Sequence, residues 1–276
     1  MRAFASLLVL VAVIVASNAN AAMVSQEVEI PSGDLRLRAR LFRPPGQGPF
    51  AAVVALHGCG SLANRAGALR PRFQDWGERL AAAGFAVLFP DSWGSRGLTD
   101  QCRSGERPVR AAHERVADAD AARRWLQHQS WVTPDRVSLM GWSAGAVATL
   151  WAVRPRAAPQ AGPDFRSAVV FYPGCQRLRD AAWSARVPTL ILIGTADEWT
   201  PASACQQMVA GAQGRSARTS IVTYPGAHHG FDHPDLALRE RTGLAFTADG
   251  SGKARVGTDP TGRADVIKRV PEWLAR

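Results

Sequence analysis

The sequence predicts an α/β fold: a mainly parallel sheet of about eight strands, helices on both faces and no large cap domain. Three observations predict it. Short apolar runs recur along the chain and alternate with helical stretches. The first two runs instead read as a hairpin turned at Ser32-Gly33-Asp34. A serine between two glycines falls where one apolar run ends and a helix starts.

Taken in order, Arg2 gives a short positive start, residues 3–16 an apolar run too short for a comfortable membrane span, and Ala19-Asn-Ala21 small residues suited to cleavage. Residues 1–21 thus read as a secretory signal peptide, with a retained N-terminal anchor as the alternative. Residues 22–276 read as one domain, exported to the periplasm or beyond, with no stable membrane anchor after cleavage. Strands are expected at 24–30 and 35–42, paired as the hairpin, then at 51–56 and 86–89. The longest helix is expected over 110–129, with Ala112, Val116, Ala119 and Leu126 on one face. Strands at 137–140, 167–171, 189–193 and 220–224 follow. Residues 248–262 are glycine-rich and read as a mobile loop. Val266, Val270, Trp273 and Leu274 mark a closing helix that Pro271 interrupts or bends.

The chemistry is expected at Gly141-Trp-Ser-Ala-Gly145, between the apolar run Val137-Ser-Leu-Met140 and the helical stretch Ala146-Val-Ala-Thr-Leu-Trp151. A serine on a sharp strand-to-helix turn is exposed, and small flanking residues let strand and helix approach. The helix behind it offers unpaired N–H groups to a developing anion. Ser143 is therefore the candidate nucleophile. An acid and then a histidine should follow it along the chain. Gly194-Thr-Ala-Asp197 ends the 189–193 strand, and Pro225-Gly-Ala-His-His-Gly-Phe231 follows the next one. Asp197 is the candidate acid, with Glu198 as the alternative should Asp197 only cap a helix. His228 and His229 are both candidates for the base. A serine hydroxyl is a weak nucleophile near neutral pH, so an imidazole must take its proton, and a carboxylate must fix the imidazole tautomer. His228, His229, Asp232 and His233 also suggest a metal set, but Gly230 and Pro234 break the helix that would align them. No metal or cofactor is expected.

The succession His57-Gly-Cys-Gly60, Gly141-Trp-Ser-Ala-Gly145, Gly194-Thr-Ala-Asp197 and Tyr224-Pro-Gly-Ala-His-His-Gly-Phe231 resembles the dienelactone hydrolase family of the α/β-hydrolase fold, from about Leu35 to the C-terminus. The resemblance implies that His229, directly before a small residue and Phe231, is the base. It also implies an oxyanion hole made by the backbone N–H groups of Cys59 and Ala144. The family's name-giving enzymes carry cysteine where this chain has Ser143, and a glutamate near the position of Gly58. The resemblance thus implies ester-type hydrolysis and gives no support to dienelactone as substrate.

Four cysteines suit an exported chain. Cys59 follows the third strand and Cys102 lies in the loop after the next, while Cys175 and Cys205 follow neighbouring strands. The pairs Cys59–Cys102 and Cys175–Cys205 are expected among three possible pairings. The net charge is +10, with only Lys253 and Lys268 as lysines among the cations. The arginines are scattered rather than gathered in an arm or stripe, so no nucleic-acid partner is expected.

An open pocket is expected between Asp91-Ser-Trp-Gly-Ser-Arg96, Trp142 and Trp199-Thr200, with Trp93 and Trp199 either binding an apolar group or packing under loops. The leading function is an exported serine hydrolase acting on a small-molecule or polymeric ester or lactone. A peptidase or amidase with the same three residues is the alternative, because the motif fixes the nucleophile and not the leaving group. A silent binding protein on this scaffold is the third. Oligomeric state is not written in these motifs.

Overall fold

The computed structural model describes residues 25–157 and 160–276. The expected signal peptide lies outside the described residues. The main sheet has eight strands in the order β1-β2-β4-β3-β5-β6-β7-β8. β1 (Gln26–Ser32) and β2 (Leu35–Phe42) form the antiparallel hairpin, and β2 also runs antiparallel to β4 (Phe85–Pro90). From β4 onward all neighbours are parallel: β3 (Phe50–Leu56), β5 (Val132–Trp142), β6 (Ala168–Phe171), β7 (Thr189–Gly194) and β8 (Thr219–Tyr224). Parallel strands covered on both faces must be apolar throughout, and β4, β6 and β7 are buried at every position. The edge strand β1 instead exposes Gln26, Glu27 and Glu29.

Helices α1 (Pro71–Ala82), α2 (Glu114–Gln127), α3 (Ala144–Ala152) and α5 (Ala202–Gly211) pack against this sheet, α4 (Gln176–Asp180) packs on α5, and α6 (Pro260–Ala275) is bonded to the end of β8 through Tyr224 and Asp265. An ion pair of 2.9 Å between Arg263 and Asp75 ties α6 to α1. Trp76 of α1 lies 5.4 Å from Phe171, and Trp142 stacks on Phe171 at 5.6 Å, so aromatic side chains join helix to mid-sheet. Such pairs contribute roughly 0.5–1.5 kcal/mol each beyond their burial.

Three local expectations are corrected. The helix expected from 110 begins at Glu114, because the Glu114 carboxylate accepts the Arg110 N–H at 2.7 Å and closes residues 110–113 into a turn. The closing helix starts at Pro260, where Asp259 caps it by accepting the Gly262 N–H at 2.6 Å, and it runs through Pro271. Proline there removes one backbone donor in the last turns, while buried Val266, Val270, Trp273 and Leu274 hold the helix to the core. The stretch 248–262, read as a loop, holds β10 (Ala254–Val256), which pairs antiparallel with β9 (Arg239–Arg241). Val256 also bridges to His229, and Ala254 and Val256 are buried. Alternation over three residues was too short a signal against so many glycines.

Candidate active site

The functional loops all leave the C-terminal ends of parallel strands, as open α/β sheets favour. Ser143 follows β5 with φ +52° and ψ −116°, a conformation that costs about 1–3 kcal/mol and persists only where surroundings impose it. The surroundings do so. A Cβ on Gly145 would sit 2.1 Å from the Leu56 carbonyl oxygen, and one on Gly141 would sit 2.5 Å from the Gly145 carbonyl oxygen. The Ser143 N–H donates to the Phe171 carbonyl at 3.0 Å, which pins the turn to β6. The helix α3 starts at Ala144, whose N–H belongs to the first turn and has no acceptor within the helix.

His229 Nε2 lies 3.1 Å from Ser143 Oγ, and His229 Nδ1 lies 2.8 Å from Asp197 Oδ2. The carboxylate is itself fixed: Oδ1 accepts the N–H groups of Trp199 at 3.0 Å and Thr200 at 2.8 Å. The Thr200 hydroxyl stands 2.9 Å from Oδ2 and 3.1 Å from the Tyr172 carbonyl oxygen. With Nδ1–H donating to Asp197, the Nε2 lone pair faces the serine hydroxyl. The imidazole ring is held between Tyr172 at 4.4 Å and Trp199 at 4.7 Å. His228 turns away and bonds the Ala196 carbonyl at 2.7 Å, while Glu198 pairs with Arg255 at the surface. The geometry brings together Ser143, His229 and Asp197 and leaves both alternatives outside.

The loop after β3 passes close to the nucleophile, since a Cβ on Gly58 would lie 3.5 Å from Ser143 Cβ. Cys59 is bonded to Cys102, and Cys175 to Cys205, the pairing expected from strand adjacency. Among the described residues, the Cys59 N–H donates to no protein acceptor. Cys59, Cys102, Ala144 and Trp199 pack with Leu244, Ala254 and Val256 into an apolar cluster separate from the main core. The small β9–β10 hairpin thereby packs beside Ala144, the residue after the serine, and Val256 bridges to His229.

The pocket-wall reading of Trp93 and Trp142 is corrected. Trp93 is 1 % exposed, and its indole N–H lies 3.2 Å from the Gly58 carbonyl oxygen and 3.1 Å from that of Cys59. Trp142 is fully buried and donates to Asp232 Oδ2 at 2.8 Å. Successive side chains of a strand alternate sides, so the residue before the nucleophile points into the core. Asp91 and Gly94 line a groove of about 620 Å³ with Ser61, Arg70 and Asp100, and none of Ser143, Asp197 and His229 reaches it. Trp199 and Thr200 remain beside the imidazole.

Asp232, read in the sequence only as a possible metal ligand, is a buried hub. Its carboxylate accepts from Trp76 Nε1 at 2.8 Å, Trp142 Nε1 at 2.8 Å and the Tyr172 hydroxyl at 2.7 Å, and Arg72 Nε lies 3.4 Å away. It ties the histidine loop to α1 and to the ends of β5 and β6. Burial first, and then the Asp232 charge, hold the Tyr172 phenol well above its usual range, so it stays a donor. The sequence signal was an acid three residues after the base, within a loop otherwise poor in charge. His57, at the end of β3, is fully buried; burial first and the Arg115 charge second push its imidazole well below the usual range. It is neutral, with Nδ1 2.9 Å from the Gly58 and 3.0 Å from the Gly60 carbonyl oxygens.

Residues 37–276 match the model of the dienelactone hydrolase family. Two uncharacterised Mycobacterium tuberculosis proteins are 32 % identical over 176 residues, 58 % of this chain, and the chain spans 61 % of the length of these curated relatives. Among solved structures, a dienelactone hydrolase-like promiscuous phosphotriesterase from metagenomic libraries superposes with a TM-score of 0.67 at 19 % identity, over 92 % of this chain and 98 % of that one. The apo form of Thermogutta terrifontis esterase 2 gives a TM-score of 0.62 at 22 % identity, over 91 % and 94 %. A family match across nearly the whole described chain, on an eight-stranded sheet of this topology, places the protein in the dienelactone hydrolase family of α/β-hydrolases.

Proposed function

We propose that the protein is an exported serine hydrolase that cleaves carboxylic esters or lactones through an acyl-enzyme. The observation that carries this reading is the chain of hydrogen bonds from Ser143 Oγ through His229 to Asp197, on a strained turn beside the Cys59 and Ala144 N–H groups, which have no acceptor among the described residues. His229 Nε2 takes the serine proton as Oγ attacks the ester carbonyl carbon. The carbonyl electron pair moves to its oxygen, and the two N–H groups stabilise that oxyanion. As the intermediate collapses, the C–O bond to the alcohol breaks and the leaving alkoxide takes the proton from His229. Water, deprotonated by the same imidazole, then attacks the acyl-enzyme; the acid leaves and Ser143 recovers its proton. Side chains and backbone donors supply each of these steps.

Export is supported by the leader-like residues 1–21 and by two disulfides, which persist in oxidising compartments. Among the described residues no helix is long and apolar enough to cross a membrane. The substrate is a small or polymeric ester. Labelling of mature protein with a fluorophosphonate probe, paired with hydrolysis of short p-nitrophenyl esters, tests the reading. Both should be present in the wild type and absent in Ser143→Ala. Well-folded protein that neither labels nor turns over would point to a silent scaffold.

A further inference from the structure

We propose that Trp93 and Arg115 act as one positioning unit for the anion-binding loop, turning the carbonyls of residues 57–59 inward so that the Cys59 N–H faces Ser143. The inference rests on the ester-hydrolase reading above. Its geometric core is the peptide plane. In a trans peptide the C=O of one residue and the N–H of the next point in opposite directions. The peptide bonds of this loop are trans. Whatever holds the Gly58 carbonyl therefore also aims the Cys59 N–H.

Three side chains hold these carbonyls from behind. The Trp93 indole N–H sits between the Gly58 and Cys59 oxygens at 3.2 and 3.1 Å. The Arg115 guanidinium donates from Nη2 to the His57 oxygen at 2.7 Å. The His57 ring shares the Gly58 oxygen and lies edge-on to Trp93 at 5.4 Å. Arg115 stacks over the Trp93 ring at 4.9 Å, so a shift of either plane displaces the other. From the outer side, the Gln101 N–H donates to the Cys59 oxygen at 2.9 Å and the Cys59–Cys102 bond closes the same corner. Opposite this ring of donors, the Cys59 N–H has no protein acceptor among the described residues, and a Cβ on Gly58 would reach van der Waals contact with Ser143 Cβ.

Arg115 needs an explanation of its own. It is fully buried, and its Nε and Nη1 atoms have no hydrogen-bond partner among the described residues. The Asp118 and Asp91 charges favour the cation, yet no carboxylate among the described residues bonds it directly, and burying it this way costs folding stability that an apolar side chain of similar size would not. Function supplies the missing reason. A positive charge behind the loop favours negative charge in front of it, and that negative charge exists only once the carbonyl oxygen becomes an oxyanion. The unit therefore lowers the barrier and leaves ground-state binding almost unchanged.

The test is Trp93→Phe, which keeps an aromatic ring against Arg115 and removes the N–H, studied beside Arg115→Met and the double variant. Removing an oxyanion donor outright lowers kcat by about 100- to 1,000-fold, so mis-aiming one should lower it by about 10-fold. In Trp93→Phe, kcat on p-nitrophenyl acetate should fall by about that factor, with KM within about twofold. Affinity for a trifluoromethyl ketone, which forms an anionic adduct, should fall in parallel, and the pH midpoint of kcat/KM should stay in place because His229 is untouched. The double variant should lose less than the product of the single losses. Wild-type kcat in Trp93→Phe, or a loss confined to KM, would overturn the proposal. Hydrogen exchange at the Gln101 amide, which reports the Cys59 carbonyl, separates the two readings. If the wild type hydrolyses no ester yet this amide exchanges faster in Trp93→Phe, the function proposed above fails and the positioning role stands. Unchanged exchange, with Arg115→Met as stable as the wild type, would sink the positioning role.

Discussion

Two turns meet at the candidate nucleophile, and they are held in place by different physics. The turn after β5 is held by what it lacks: Gly141 and Gly145 leave no room for a Cβ, and backbone closes on backbone at Leu56, Gly145 and Phe171. The turn after β3 is held by what others bring to it: an indole, a guanidinium, an imidazole and a disulfide, from residues between 1 and 58 positions away. Steric exclusion leaves a local sequence mark. Support by distant side chains leaves almost none. The first turn should therefore fail abruptly when its chemistry is altered, and the second by degrees as its props are removed.

The largest expected effect is on the nucleophile side. His229→Ala should lower kcat by about five to six orders of magnitude, as loss of a triad member does elsewhere. His228→Ala, which breaks only a bond to the Ala196 carbonyl, should stay within a few-fold in the same p-nitrophenyl ester assay. A large loss at His228 would reassign the base.

Next comes the acid. Asp197→Asn should keep the fold and lower turnover by about 10⁴-fold, because an amide cannot enforce the imidazole tautomer that leaves Nε2 free. Glu198→Gln, which only weakens an exposed pair with Arg255, should leave turnover near wild type. Parallel kcat measurements on the two variants decide between the carboxylates.

The two disulfides sharpen the contrast between the turns. Removing either by paired Cys→Ser changes should cost about 2–4 kcal/mol, since they close loops with sequence separations of 43 and 30 residues. Losing Cys59–Cys102 should in addition lower kcat, while losing Cys175–Cys205 should affect stability more than kcat. Urea unfolding and steady-state kinetics on both pairs would show it. Equal falls in kcat would remove the special place of the first bridge.

The smallest effect is a pH slope. Burial, with Arg115 second, depresses the His57 pKa, so the folded protein refuses a proton that the unfolded chain accepts below its usual value near 6.5. Stability is therefore full above about pH 6.5 and falls as pH drops toward the folded pKa, by at most about 1.4 kcal/mol per unit from this group. His233, half-buried and also depressed, adds in the same sense. Urea midpoints between pH 7 and 5 should decline in the wild type and flatten in His57→Gln; equal slopes would place the titration elsewhere.

The same division explains what could be read in advance. The candidates Ser143, Asp197 and the pair His228 and His229 were legible because each follows a strand that advertises itself by composition, and strand order fixes where strand ends meet; only the family resemblance singled out His229. The disulfide pairing followed from the same adjacency. Trp142 was misplaced, and Trp93 was left between binding a group and packing under a loop, because composition does not tell which way a ring faces: Trp93 packs against the Cys59 loop and Trp142 bonds the Asp232 hub. The β9–β10 hairpin was hidden by its own shortness and by glycines that suit loops equally well.

By itself, then, the sequence determined the sheet of parallel strands and the strand ends from which the elbow, the Asp197 loop and the two-histidine loop leave, because these depend on local backbone demands and on strand order. Tertiary structure decided which side chains stand behind the loop after β3, which carboxylate links the histidine loop to the core, and what packs beside the elbow. Those contacts join residues as far apart as Trp76 and Asp232 or Arg115 and His57. Their geometry exists only once the chain has packed, since side-chain direction across long separations is set by three-dimensional neighbours and not by spacing.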